Sequence, residues 1–261
     1  MVDILQNDNG LIPAERQRLL LERIERDGRI SSTQAAIEFA TSEDTIRRDL
    51  RELADANLVE RVHGGALRKS LLSHRFETRL IHKPIEKTRL AAHALSFLRS
   101  GMVVLLDQST SNLALARQIP SSLGLTVVTP SPDIAMAALD RGISELVLVG
   151  GRLDPQSRSS SGAGALEQIG RIRPDLCFLG ACTIDITAGI TAMNYDDACL
   201  KRAMVAASDS IVALITADKL DTKSAFAVAP LASLDHMVTQ STISEGLRQR
   251  YGNAGVEIHL V

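Results

Sequence analysis

The chain has 261 residues, of which 45% are hydrophobic and only 3% aromatic, and its formal net charge is −2. This length accommodates one large domain or two smaller ones. With no tryptophan and few other aromatic rings, the composition argues against a protein that binds single-stranded nucleic acid by base stacking. The three cysteines, Cys177, Cys182 and Cys199, lack the paired spacing of a zinc site and are expected to be reduced thiols.

The N-terminal part of the chain predicts three helices followed by a β-hairpin. Apolar residues recur at helical spacing over residues 14–27, 33–39 and 43–56, and Ser32 and Ser42 are suited to cap the second and third helices. A short alternating strand over 58–62 then leads into a glycine turn and a return strand. This order of elements is typical of a winged helix-turn-helix, which we expect over residues 11–68.

The third predicted helix has the features of a helix that reads DNA. Residues 47–83 carry nine Lys or Arg against five Asp or Glu, although the whole chain is slightly acidic. Such a helix enters the major groove, where arginine can bind guanine with two hydrogen bonds. The expected DNA contacts are Ser42, Thr45, Arg47, Arg48, Arg51, Arg61, His63, Gly64 and Gly65. The alternative is a charged, solvated helix beside an ordinary hairpin.

From residue 89 onwards, short aliphatic runs alternate with helical stretches. The runs lie at 102–107, 125–129, 146–150, 176–180, 211–216, 236–239 and 256–261. The candidate helices between them lie near 112–118, 132–141, 163–171, 196–208 and 243–250. Continuous apolar runs separated by helices predict a mostly parallel, Rossmann-like sheet covered on both faces, in an α/β domain over residues 89–261. The basic segment 69–88 is interpreted as a partly helical linker.

Four motifs in the N-terminal part resemble those of the DeoR family of bacterial transcriptional regulators. They are ER at 15–16, DG at 27–28, TIRRDL at 45–50 and R-x-HGGA at 61–66, and the resemblance extends over the C-terminal half. It implies a winged helix-turn-helix fused to a domain that senses a sugar phosphate. That sensor domain is similar in fold to ribose-phosphate isomerases and CoA transferases.

Polar residues at the ends of the predicted strands are the candidate effector site, because ligands bind beyond the carboxyl ends of parallel strands. Some of these residues also match positions of the family. The set is Asp107, Ser109, Thr110, Ser111, Gly151, Arg152, Ser161, Gly162, Asp185, Lys201 and Lys219. An ordinary capping loop, a flexible serine loop and unrelated surface charges are the alternatives.

Three positions depart from the family pattern. Ser109 stands where the family usually has glycine, Pro130 where asparagine is common, and Thr216 where many relatives have aspartate. These departures suggest an effector unlike that of the commonest relatives.

The sequence therefore predicts a regulator that represses a carbohydrate-metabolism operon and responds to a phosphorylated sugar or polyol. Its partners are double-stranded operator DNA and further copies of itself, as a homodimer or a higher homo-oligomer, because paired half-sites need paired helices. We expect no enzymatic activity, no cofactor and no bound metal. With no signal-peptide pattern and no apolar run near 20 residues, a cytoplasmic protein without membrane contacts is expected.

Two other functions remain open from the sequence. One is a sugar-phosphate isomerase or transferase with a helical extension, in which Asp107, Asp185 and Lys219 would be candidate catalytic groups. The other is a DNA-organising protein that binds no ligand, which the hydroxyl-rich loops of the large domain argue against.

Overall fold

The structure is a computed structural model, and it describes residues 11–27, 29–56, 58–62, 64–68 and 75–261. The chain divides into two compact units, Met1–Ser70 and Leu71–Val261. In the described part of the chain, no helix has the length and apolar character needed to cross a membrane.

The first unit is a winged helix-turn-helix, as predicted. Its elements are α1 (Pro13–Asp27), β1 (Arg29–Ser31), α2 (Ser32–Glu38), α3 (Glu43–Asp55), β2 (Val59–Val62) and β3 (Gly65–Arg68). The strands form an antiparallel sheet in the order β1-β3-β2. The sequence did not predict β1. It also placed the start of the second helix one residue late, because Ser31 is the N-cap and Ser32 is already helical and buried.

An ion pair fixes α3 against α1 beside the apolar core of this unit. The guanidinium of Arg16 donates to the carboxylate of Asp49, with 2.5 Å between Nε and Oδ2 and 3.2 Å between Nη2 and Oδ1. Both residues are buried, so each charge depends on the other for compensation. Because Asp49 occupies the inner side of α3 together with Ile46 and Leu50, the opposite side of the helix faces solvent.

The second unit begins with α4 (Phe76–Ile81) and α5 (Pro84–Ala94). The elements of its first half are β4 (Val103–Leu106), α6 (Thr110–Ala116), β5 (Thr126–Thr129), α7 (Pro132–Asp140), β6 (Glu145–Leu148), β7 (Arg152–Asp154), β8 (Ser159–Ser161) and α8 (Ala163–Gly170). Those of its second half are β9 (Leu176–Leu179), β10 (Thr183–Asp185), β11 (Gly189–Ala192), α9 (Tyr195–Ala207), β12 (Ile211–Leu214), β13 (Phe226–Ala229), β14 (His236–Thr239), α10 (Glu245–Asn253) and β15 (Glu257–Leu260).

A seven-stranded sheet in the order β15-β14-β12-β9-β4-β5-β6 is the centre of this unit. All neighbouring strands pair in parallel, which confirms the predicted sheet. Alternate residues of β4 belong to two separate apolar clusters, Leu105 to one and Val104 and Leu106 to the other. Burial on both faces is the reason why these strands appear in the sequence as continuous aliphatic runs.

Residues 75–88, which lie in the segment expected to be a linker, form helical structure within the second unit. Phe76 is 1% exposed and packs in the same apolar cluster as Leu90 and Val104. Residues 69–74 lie outside the described part of the chain. The antiparallel pairs β7-β8 and β10-β11-β13 were not predicted either, since strands of three or four residues show too little periodicity to be recognised.

We expect Gly65→Ala to destabilise the first unit by at least about 1–3 kcal/mol, the cost of overpacking a filled interior. A Cβ at this position would lie 2.0 Å from the carbonyl oxygen of Ile30, at the end of the β1-β3 pair where Gly65 is aligned with Ser31. Urea unfolding and hydrogen exchange of the amides of residues 29–32 measure the effect. The control is Gly164→Ala in α8, where an added Cβ meets open space. Unchanged exchange at residues 29–32 would contradict this account of Gly65.

Candidate functional site

The exposed side of α3 carries two arginines that are available for an external partner. Arg48 and Arg51 are exposed, and neither makes an ion pair with another described residue. Arg47 differs, because its guanidinium lies 2.7 Å from Glu43 and 3.5 Å from Asp44 on the same helix. The three arginines that α3 contributes to the predicted contact set are therefore not equivalent.

The start of α3 is held by its predicted cap. The Oγ of Ser42 accepts a hydrogen bond from the backbone N–H of Thr45 at 3.1 Å and lies 2.8 Å from the Thr45 hydroxyl. This capping satisfies one of the free N–H groups of the first turn and leaves both hydroxyls at the helix N-terminus.

The hairpin supplies the remaining predicted DNA contacts. Arg61 on β2 and Gly64 in the turn are exposed, whereas Gly65 is buried on β3, beside Ser31 of β1. The carbonyl of Ile30 lies so close to the backbone of residue 65 that no side chain fits there, so the fold of this unit itself requires glycine. His63 lies outside the described residues.

A cavity of about 130 Å³ lies in the second unit, and this volume suits a small metabolite better than a dinucleotide. Its wall combines cationic, anionic and neutral polar side chains. They are Arg79, Arg152 and Lys201; Asp154, Asp196 and Asp197; Gln108 and Asn194; and Ser157, Ser159, Ser160 and Ser161. Gly180, Cys182, Met193 and Leu200 complete the wall.

A buried ion pair forms the inner side of this cavity. The ammonium of Lys201, a residue only 1% exposed, binds the carboxylate of Asp107 and lies 3.1 Å from Oδ1 of Asp197. The Asp107 carboxylate also accepts the backbone N–H groups of Gln108 at 2.7 Å and Gly180 at 2.8 Å. Burial alone would lower the pKa of Lys201, but the two carboxylates outweigh burial and raise it, so the ammonium stays charged.

The sheet topology explains why these residues meet. Asp107 directly follows β4, Gly180 directly follows β9, and these strands are neighbours in the sheet. The side chain of Asn112 joins the two strand ends, because its Nδ2 donates to the carbonyls of Asp107 at 2.9 Å and Phe178 at 2.6 Å. The cavity therefore lies at the carboxyl edge of the parallel sheet, where the sequence analysis expected a ligand.

Of the predicted effector residues, Arg152, Ser161 and Lys201 line the cavity, and Asp107 lies behind Lys201.

The Oγ of Ser109 is used as the N-cap of α6 and accepts the N–H of Asn112 at 2.9 Å. Thr110 and Ser111 are buried in the first turn of that helix. Gly151 and Gly162 flank the β7-β8 pair.

Asp185 and Lys219 have other surroundings. The Asp185 carboxylate accepts the N–H groups of Thr187 at 2.9 Å and Ala188 at 2.7 Å in the turn between β10 and β11. These bonds hold the pKa of Asp185 below its usual value. Lys219 lies in a short 3₁₀ turn after β12, and burial, reinforced by the charge of Arg79, lowers its pKa.

Several cavity residues were not predicted from the sequence. Arg79 comes from α4 in the expected linker, where no motif marks it. Asn194 and Asp197 had a recognisable signal, since Asn194 caps α9 by accepting the N–H groups of Asp196 and Asp197, and Asp197 stands four residues before Lys201. Within the described residues, Nε of Arg79 and Oε1 of Gln108 are buried without a hydrogen-bond partner.

Positive charge is crowded behind Arg79. The Nζ of Lys87 donates to the backbone carbonyl of Arg79, and Lys87 is itself only 3% exposed. Burial, together with the charges of Lys219 and Arg79, lowers the pKa of Lys87 to about 7. An anion beside Arg79 would relieve the repulsion among these three cations.

The first unit is a winged helix-turn-helix in which α3 has an exposed basic side, and the second is a parallel α/β unit. This architecture places the protein in the helix-turn-helix class of DNA-binding proteins. Residues 16–70 match the family model of the DeoR-like helix-turn-helix domain, and residues 82–241 match that of the DeoR C-terminal sensor domain. The chain belongs to the DeoR family of transcriptional regulators, which confirms the resemblance seen in the sequence.

Two named relatives are similar over most of their length. The HTH-type transcriptional regulator GlpR of Haloferax volcanii is 32% identical, over 95% of this chain and 98% of the relative. The glycerol-3-phosphate regulon repressor of Escherichia coli K12 is 26% identical, over 87% of this chain and 90% of the relative. A solved structure, ribose 5-phosphate isomerase A of Methanocaldococcus jannaschii, is 18% identical with a TM-score of 0.37, over 53% of this chain and 55% of that chain.

We expect Lys201→Met to destabilise the second unit by about 3–5 kcal/mol, because it leaves the Asp107 carboxylate buried without its counter-charge. Adding Asp107→Asn should recover part of that loss, since the uncompensated charge is removed. Urea unfolding of the two single variants and the double variant measures the coupling.

The control for this cycle is Arg171→Met, which removes one partner of an exposed pair with Glu167 and should cost less than about 1 kcal/mol. Strictly additive losses from Lys201→Met and Asp107→Asn would show that the two side chains are not energetically coupled.

Proposed function

We propose that this protein is a repressor that binds operator DNA through α3 and the hairpin and is controlled by a small phosphorylated sugar or polyol. The observation that carries the proposal is the pair Arg48 and Arg51, exposed and without ion pairs among the described residues, on a helix whose other side is core. We assign DNA binding to residues 11–68 and effector binding to the second unit, with Arg79 included.

On the DNA, the N-terminal turn of α3 would reach the base edges. Thr45 and Arg48 lie in the early turns of the helix, where side chains of a recognition helix contact bases. Arg51, one turn later, and Arg61 on β2 are suited to phosphate contacts, which position the protein without reading sequence. Arg47 would first have to give up its pairs with Glu43 and Asp44.

The cavity has the mixed chemistry that a phosphorylated polyol requires. Carboxylates such as Asp154, Asp196 and Asp197 can accept hydrogen bonds from hydroxyl groups, whereas Arg79 and the serine hydroxyls can donate to a phosphate. The buried Nε of Arg79, without a partner among the described residues, is the donor that gains most from such a ligand. The name of the glycerol-3-phosphate regulon repressor supports this ligand class.

Control of DNA binding would follow from a difference in effector affinity between the DNA-binding and non-binding states of the protein. We propose a homodimer as the smallest active form, because a palindromic operator presents two half-sites about one helical turn apart. The relatives carry the names of regulators, which favours a sensor over a catalytic role for the second unit.

Arg48→Ala should weaken operator binding by about 1–3 kcal/mol, roughly 5- to 150-fold, because the substitution removes a charged contact to DNA without touching the core of the unit. The measurement is a fluorescence anisotropy titration at fixed salt concentration. The probe is a labelled DNA duplex taken from the region upstream of the gene that encodes this protein.

The matched control is Arg18→Ala, since Arg18 is an exposed arginine of the same unit whose partner is Glu22 on α1. Equal affinities of the Arg48→Ala variant and the wild type, with both proteins folded, would remove Arg48 from the proposed DNA contacts and contradict the observation on which the proposal rests.

A phosphorylated effector should stabilise the protein against heat more than its unphosphorylated counterpart. At 100 times the Kd, binding adds about 2.7 kcal/mol to the stability of the native state, a rise in Tm of several degrees for a unit of this size. A panel that pairs glycerol 3-phosphate and sugar phosphates with the free polyols and sugars measures this difference.

Arg79→Met should abolish the stabilisation by the phosphorylated member of each pair, whereas Arg171→Met, at an exposed site outside the cavity wall, should retain it. Equal stabilisation by free and phosphorylated compounds would contradict the assignment of a phosphate group to this cavity.

A further inference from the structure

Three potential metal ligands lie together on one face of the large sheet, away from the proposed effector cavity. His236 is the first residue of β14, and Glu257 and His259 lie on β15, the edge strand. The parallel register aligns His236 with Glu257 and Val238 with His259. Since side chains two residues apart point to the same face of a strand, Glu257 and His259 share the face of His236.

The ligand atoms of these side chains converge. The distance from Nδ1 of His236 to Oε2 of Glu257 is 3.2 Å, and that from Nε2 of His259 to Oε1 of Glu257 is 3.4 Å. The two imidazole nitrogens are 3.3 Å apart. Around a tetrahedral zinc ion with bonds of about 2.0–2.2 Å, neighbouring ligand atoms are roughly 3.3–3.5 Å apart. Oε2 of Glu257 faces His236 and Oε1 faces His259, so these separations suit a zinc ion bound by both imidazoles and by the Glu257 carboxylate through one or both of its oxygens.

We infer that His236, Glu257 and His259 form a binding site for a divalent transition metal ion, and that Zn²⁺ is the ion bound there. Two imidazoles and one carboxylate are a donor set that zinc accepts, and imidazole nitrogens disfavour Ca²⁺ and Mg²⁺. The Glu257 side chain is 64% exposed, so the fourth coordination position opens to solvent and takes a water molecule. This inference is independent of the proposed function.

Neighbouring rings hold the two imidazoles in this arrangement. The ring centroid of Phe97 lies 5.0 Å from that of His236 and 5.1 Å from that of His259. His93 on α5 packs against His259 from another side, with 5.3 Å between the ring centroids. Because both imidazole planes are fixed by packing, the metal does not have to order them on binding, which favours tight coordination.

In the absence of metal, the same contacts form a small hydrogen-bonded cluster, in which a proton on one of the two facing imidazole nitrogens is donated to the other nitrogen or to the Glu257 carboxylate. A metal site and a metal-free hydrogen-bonded cluster can be distinguished by measurement, since only the metal site binds an ion in a fixed ratio to the chain.

The test is an equilibrium titration of the full-length protein, first stripped with a chelator, with Co²⁺ and then with Zn²⁺ in competition. We expect one Co²⁺ per chain, visible bands of a four-coordinate ion, no thiolate-to-metal charge-transfer band, and displacement by Zn²⁺. The double variant His236→Gln/His259→Gln should bind Zn²⁺ at least tenfold more weakly and lose the rise in Tm that Zn²⁺ gives the wild type.

Two further variants keep the test decisive. Glu257→Gln changes a ligand at an exposed position, so it should weaken metal binding without unfolding the chain. His82→Gln is the matched control, because His82 also contacts a carboxylate, that of Asp218, but has no second histidine in that contact. The site would be overturned if the wild type bound no metal, if a thiolate band appeared, or if the His236, His259 and Glu257 variants bound Zn²⁺ as tightly as the wild type.

Discussion

The buried pair of Lys201 and Asp107 is the interaction on which the second unit depends most. Neither charge has access to solvent, so each needs the compensation that the other provides, supplemented by Asp197 on one side and two backbone N–H groups on the other. The pair ties the end of β4 to α9, and the N–H of Gly180 adds the end of β9 to the same carboxylate. The inner wall of the cavity is therefore charged, rigid and held at the carboxyl edge of the sheet.

The first unit uses the same physical device for a different purpose. There, Asp49 on α3 pairs with Arg16 on α1 inside the unit, and this contact determines which side of α3 faces solvent. In both units a single buried aspartate orients a helix that carries side chains of a candidate site. Within the TIRRDL motif, Asp49 is buried against α1 and Arg48 is exposed on the other side of the helix.

The fold was predictable where burial gives the sequence a pattern. The seven aliphatic runs correspond to the seven parallel strands, and TIRRDL correctly located α3. The short pairs β7-β8 and β10-β11 were not predictable, because Ser159–Ser161 and similar polar strands show no periodicity. In the cavity, resemblance to the family indicated Arg152 and Lys201, and the serine-rich loop before a helix indicated Ser161. Arg79 approaches from a segment whose sequence shows only charge.

The burial of Phe76 determines where the second unit can be cut. A fragment that starts at residue 89 would lack this ring, which packs with Leu90, and would lose Arg79 from the cavity wall. Such a truncated protein would expose apolar surface and present an incomplete pocket. A fragment intended for ligand binding or crystallisation therefore has to begin before Phe76, upstream of the boundary that the aliphatic runs alone suggest.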